Sequence, residues 1–263
     1  YSPSLGIPSV REAIAASLEE RFGLPYRAEH IFMASGAAGA LAHAFRLVAE
    51  PGDEIITFAP FFPEYRPYVN LSGAVLKIVP PQTKDFQINF EAFEEMLTGD
   101  VMAVLINTPN NPSGIVYSEE TIEHLADLLR QKEKAFGHEI FLISDEPYRE
   151  IAFDGKNVPY PSRYYDNTLS CYSFSKSLSL PGERIGYVAV NPKAVDADLL
   201  VPIMAQISRG TGHNCPSSSV QLAVARVLDE PSDLSVYETN RKRFDDTLVD
   251  PGFTVVRPGR TFY

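Results

Sequence analysis

An α/β fold, a three-layer sandwich whose central sheet is mostly parallel, is predicted by three features of the sequence. Seven short β-branched or apolar runs recur without clean polar alternation, as in strands covered on both faces. Helical patterns lie between several of them, as the crossovers of a parallel sheet require. The chain of 263 residues, 44% apolar, can bury one large core or two smaller ones.

Each element has its own justification. PSVREAIAASLEERFG (residues 8–23) sets Val10, Ile14, Ser17, Leu18 and Phe22 on one helical face, with Ser9 as the expected N-cap. HIFMAS (30–35) reads as a strand, followed by SGAAGALAHAFRLVAE, a helix opened by small residues and ended by Pro51-Gly52. DEIITFAP (53–60), AVLKIVP (74–80) and VMAVLIN (101–107) are strands, and SEETIEHLADLLRQKEKAF (118–136) is a helix opening at Ser118 and closing at Gly137. EIFLIS (139–144), TLSCYSF (168–174) and RIGYVAV (184–190) complete the sheet. From Pro192 onward the chain is more helical, notably in PSSSVQLAVARVLDE and LSVYETNRKRFDDTL. Residues 1–191 are therefore expected to form one large domain, and 192–263 the interdomain helices and the incomplete start of a smaller lobe.

Charge and cysteine usage narrow the function. A formal net charge of −11 argues against a nucleic-acid partner and against an anionic membrane surface, leaving a small-molecule partner. Cys171 and Cys215 are too few and too far apart for a disulfide framework or a metal site, and they fit a reducing cytoplasm. No apolar run has the length of a membrane span. The chain begins without Met and stops inside what reads as a strand, so it is expected to be an excerpt of something longer.

In doubly wound sheets ligands gather at the carboxyl ends of strands, and four loops there carry unusual chemistry. Gly36, Ala37 and Ala38 open a helix and leave N–H groups suited to a phosphate, although a tight packing turn explains the small residues equally well. TPNNPSG (108–114) presents Asn110 and Asn111 on a backbone fixed by Pro109, Pro112 and Gly114. Asp145 ends a strand with Tyr148 three positions on, and Lys176 stands between Ser175 and Ser177 with Ser173 and Arg184 close by. Together these supply what a phosphorylated pyridine aldehyde needs. Lys176 is an amine able to form a Schiff base, Asp145 a carboxylate for the pyridine nitrogen, and Ser173, Ser175, Gly36 to Ala38 and Arg184 a set of phosphate ligands.

SFSKSLSLPGERIGY, NTPNNPSG, SDEPYREI and the SGAAGAL helix start resemble the class I/II aminotransferases, fold type I pyridoxal-phosphate enzymes related to aspartate aminotransferase. The resemblance covers nearly the whole chain, with four motifs in order. It implies Lys176 as Schiff-base lysine and proton carrier, Asp145 at the pyridine nitrogen, and Tyr148 and Asn111 at the ring hydroxyl. It further implies Phe62 stacked on the ring, Ser173 and Arg184 on the phosphate, and Tyr1 reaching the phosphate of a neighbouring subunit, hence a homodimer with shared active sites. The implied reaction is transfer of an amino group from an L-amino acid to a 2-oxo acid. The arginine that clamps the substrate carboxylate in this family falls beyond the C-terminal end of the sequence, and Arg260-Thr261 stand where the family has Gly and a small residue before Phe-Tyr.

Four other readings share parts of these motifs. Lyases and decarboxylases of the same fold use the same cofactor residues, and a non-catalytic cofactor-binding module is compatible with the fold. Ser173-x-x-Lys176 matches a serine acyl-transfer pattern, but K-T-G is absent and the serine ends a strand instead of opening a helix. A dinucleotide site is disfavoured by the lack of G-x-G-x-x-G after the strand.

Overall fold

Alternate residues of the strand at 31–34 enter different cores: Phe32 and Ala34 pack on one side of a sheet, Ile31 and Met33 on the other. That period of two, apolar on both faces, is what a central sheet in a three-layer sandwich demands. A computed structural model describes residues 2–151, 158–230, 233–249 and 251 and shows this architecture.

The described strands are β1 (Ile31–Ala34), β2 (Glu54–Phe58), β3 (Val75–Val79), β4 (Val101–Asn107), β5 (Phe141–Asp145), β6 (Thr168–Ser173) and β7 (Gly186–Val190), in the spatial order β1-β7-β6-β5-β4-β2-β3. Pairings from β3 through β2, β4 and β5 to β6 are parallel, whereas β7 lies antiparallel between β6 and β1. Helices α2 (Gly36–Val48), α3 (Tyr65–Ser72) and α7 (Ala197–Thr211) cover one face. On the other lie α4 (Phe90–Met96) and α5 (Glu119–Phe136) over one half, and α1 (Pro8–Phe22) with α8 (Ser218–Val224) over the other. The short α6 (Phe174–Ser177) follows β6, and α9 (Ser235–Val249) follows α8.

All seven expected strands are present; VMAVLIN keeps its full length as β4, and the other six are one to three residues shorter than the stretches that predicted them. Helix α5 begins and ends where its signals place it: Ser118 Oγ accepts the Thr121 N–H, and Gly137 closes the helix at φ 80°. The Ser9 cap does not hold. Helix α1 starts at Pro8 after Ile7, without a side-chain cap, because proline needs no partner for a missing N–H and its fixed φ suits a first helical position. Helices α3 and α4 escape sequence periodicity, being only eight and seven residues long. The buried side of α7, including Leu200, Val201 and Met204, packs into the same core as the sheet.

Strand direction positions the site. Because β7 runs back beside β6, residues 174–185 form one connection across the sheet's carboxyl edge, carrying Lys176 and Arg184. Gly186 is the register partner of both Ser173 on β6 and Ala34 on β1, which brings the start of α2, the end of β6 and Arg184 together. No larger residue fits at Gly186: a Cβ there meets the Tyr172 carbonyl oxygen at 2.2 Å and Gly36 at 3.1 Å.

Candidate active site

A cleft of about 260 Å³ opens at the carboxyl ends of β4, β5 and β6. It is lined by Ala37, Ala38, Phe62, Asn111, Asp145, Tyr148, Ser173, Ser175, Lys176 and Arg184 among others, so the described residues singled out from sequence converge on one place. Gly36 lies just behind the lining, its α-carbon so close to Arg184 that an added Cβ meets the guanidinium at 2.9 Å. Tyr1 and Arg260 lie outside the described residues.

The carboxylate end of the cleft is built by register. Asn107 and Asp145 are partners across β4 and β5, and Asn107 Nδ2 donates to the Asp145 carbonyl at 2.8 Å. Asn107 Oδ1 in turn accepts the Asn111 N–H at 2.7 Å, and Asn111 Nδ2 donates to Tyr148 OH at 3.3 Å. This chain of contacts sets an amide and a phenol side by side. Asn110, presented with Asn111 in the same turn, is spent inside its loop, where its Oδ1 accepts from Ser113 N–H and Oγ–H.

Asp145 is 4% exposed. Tyr65 OH donates to its Oδ2 at 2.6 Å, while Oδ1 is buried without a partner among the described residues. Burial pushes its carboxyl up to about 7, the Tyr65 hydrogen bond pulling down and neighbouring Glu146 pushing further up. A buried carboxylate with one oxygen held and one bare is an acceptor built for a cationic N–H donor, because an unpaired buried acceptor is costly. The residues present thus fit a protonated pyridine ring.

The opposite end of the cleft is arranged for an anion. The first turn of α2, whose N-cap Ser35 makes no side-chain cap, lines the cleft with Ala37 and Ala38, and the helix dipole favours negative charge there. Ser173 Oγ and Ser175 Oγ lie 2.7 Å apart, and Ser173 Oγ accepts the Ser175 N–H at 3.1 Å. Arg184 takes a left-handed backbone at φ 50° and donates from Nη1 to the Pro181 carbonyl at 3.0 Å, turning the guanidinium toward the start of α2. Lys176 and Phe62 also line the cleft.

Sequence reasoning missed Tyr65, Tyr68 and Asn107. Tyr68 and Asn107 line the cleft, and Tyr65 holds Asp145 from beneath. Only Asn107 had a signal, as the first residue of the NTPNNPSG stretch.

The family model "Aminotransferase class I and II" matches residues 1–263. The chain belongs to this family. Among curated relatives, a probable N-acetyl-LL-diaminopimelate aminotransferase of Bacillus subtilis is 32% identical over 100% of this chain and 65% of its own length. An aspartate aminotransferase of Thermotoga maritima is 31% identical over 100% of this chain and 68% of its own. An aminotransferase structure from Eubacterium rectale superimposes with a TM-score of 0.97 at 44% identity, covering 99% of this chain and 66% of that one. The chain thus spans about two thirds of the length of the relatives it matches. The fold is that of the fold type I aspartate aminotransferases, with a TM-score of 0.88 at 28% identity against a double mutant of the Thermus thermophilus enzyme, over 99% of this chain and 67% of that one.

Proposed function

We propose that this protein is a pyridoxal-phosphate-dependent aminotransferase that moves an amino group from an L-amino acid to a 2-oxo acid. The observation that carries the reading is the bare, buried Oδ1 of Asp145 in a cleft that also holds Lys176 and an anion cradle. Bound pyridoxal phosphate supplies an aldehyde that condenses with amines and a ring that withdraws electrons from the adjoining carbon.

The chain's own residues divide the remaining work. Asp145 Oδ1 accepts the ring N–H and keeps that nitrogen protonated. Tyr148 and Asn111 bind the ring hydroxyl, and Phe62 covers a ring face. Gly36 to Ala38, Ser173, Ser175 and Arg184 hold the phosphate. Lys176 Nζ is the amine that would link to the cofactor and, as a free amine, would be the base that moves the α-proton. A homodimer with shared sites belongs to the proposal on the strength of Tyr1 matching the family motif. No helix among the described residues is long and apolar enough to cross a membrane, and both cysteines are free, in keeping with a cytoplasmic setting.

Borohydride reduction of the cofactor-loaded protein followed by peptide mapping tests the reading. A label on Lys176 is expected; a label on another lysine, or none, overturns it. Screening amino donors against several oxo acids then identifies the substrate pair, and release of a decarboxylated or eliminated product without amino transfer favours a lyase.

A further inference from the structure

The end of β5 and the loop that follows it have two faces. Asp145 and Tyr148, three residues apart, line the cleft, whereas Glu146 and Arg149, also three apart, turn away from it and are 1% and 7% exposed. Charges leave water only where partners replace it, and Arg149 has them on several sides. Its Nη1 donates to Glu146 Oε2 at 2.8 Å, Nη2 to Tyr187 OH at 2.8 Å and Nε to Glu150 Oε1 at 3.2 Å. The guanidinium carbon sits 4.3 Å from the centre of the Tyr172 ring and 5.2 Å from that of Phe22. From outside, Arg21 on α1 grips both oxygens of Glu150 at 2.9 and 2.5 Å.

One side chain therefore fastens the loop to β6, β7 and α1 at once. Replacing a buried ion pair by well-packed apolar groups is often neutral for stability, so stability alone does not account for this cluster. Fixing a single conformation does. A planar fork with donors in three directions and an aromatic face beneath it defines position in a way a lysine ammonium cannot. The position at stake is that of the two cleft-facing residues of the same stretch, Asp145 and Tyr148, and a carboxylate about 1 Å out of place no longer makes a full hydrogen bond.

We propose that Arg149 is a positioning residue: clamped by Glu146, Glu150 and Tyr187, it fixes from behind the loop where Asp145 and Tyr148 stand at the pyridine end of the cofactor. The inference rests on the cofactor assignment made above.

The test compares Arg149→Met, Arg149→Lys and Tyr187→Phe with wild type, each loaded with pyridoxal phosphate. Three quantities are read: the pH midpoint of the cofactor's visible absorption band, cofactor retention on dialysis, and thermal unfolding without cofactor. Arg149→Met is expected to displace the midpoint by about half a pH unit or more and to weaken retention about tenfold. Lysine should recover part of both, and Tyr187→Phe should give a smaller displacement in the same direction. If Arg149→Met fails to fold, Tyr187→Phe, which removes a single hydroxyl, decides by the same midpoint. Variants that melt earlier but keep the wild-type midpoint and retention overturn the proposal, leaving Arg149 a structural residue only. A wild type that takes up no reducible cofactor at Lys176 overturns both readings; one that does, with spectrally unchanged variants, overturns this one alone.

Discussion

Asp145→Asn separates the cost of a charge in the cleft from its use. In the cofactor-free protein the Asp145 carboxyl stands at about 7 against an ordinary 3.8, mainly because it is buried. Between those values the folded protein keeps a proton that the unfolded chain has lost. Stability therefore falls as pH rises from about 4 to about 7, and the deficit is complete above that. A difference of about 3 pH units corresponds to about 4 kcal/mol as a ceiling, at about 1.4 kcal/mol per unit. The effective dielectric of a real protein interior exceeds that of a dry one, so about half of that ceiling, about 2 kcal/mol, is expected. Asparagine keeps the shape, and its side-chain oxygen still accepts from Tyr65. The variant should match wild type near about pH 4 and, in the range above about pH 8, melt higher by about 5 °C, at about 2 to 4 °C per kcal/mol for a chain of this size. Thermal unfolding without cofactor at both pH values measures this. Equal melting differences at the two values, or a variant less stable at the higher one, would refute the claim that Asp145 is held against its own ionisation.

Other consequences follow from the same geometry. Tyr65→Phe removes the 2.6 Å donor to Asp145 Oδ2 and should raise the carboxyl further, costing about 1 to 3 kcal/mol at alkaline pH and less where the carboxyl is protonated, as read by unfolding at both values. Gly186→Ala places a Cβ 2.2 Å from the Tyr172 carbonyl, a backbone atom that cannot rotate away, and should cost about 3 kcal/mol or more in chemical denaturation. Ser118→Ala removes the cap of α5 and should cost about 1 kcal/mol by the same measurement without altering cofactor uptake. Lys176→Ala should abolish borohydride labelling while retaining some non-covalent cofactor binding, because Asp145 and the anion cradle remain; dialysis against free cofactor checks it.

What the sequence by itself determined lies in short stretches whose chemistry is local. Hydrophobic runs without alternation announce strands buried on both faces, and Ser118 with Gly137 bounds α5, because capping is settled within one turn of backbone. Lys176 among hydroxyls, Asp145 at a strand end and Arg184 eight residues beyond the lysine are readable because strand ends and their loops are contiguous in the chain. Tertiary structure alone decided the rest. Apolar periodicity is the same whichever way a strand runs, so nothing local marks β7 as antiparallel, yet that reversal sets Gly186 against both Ser173 and Ala34 and assembles the anion cradle. Tyr65, eighty positions before Asp145, lies in a helix too short to announce itself, and only the fold brings its hydroxyl to the carboxylate. Arg149 carries no local signal of burial between Tyr148 and Glu150, and only the packing of β6, β7 and α1 encloses it. Hydrogen bonds and burial between residues distant in sequence depend on where folding puts them, and no local pattern encodes that distance.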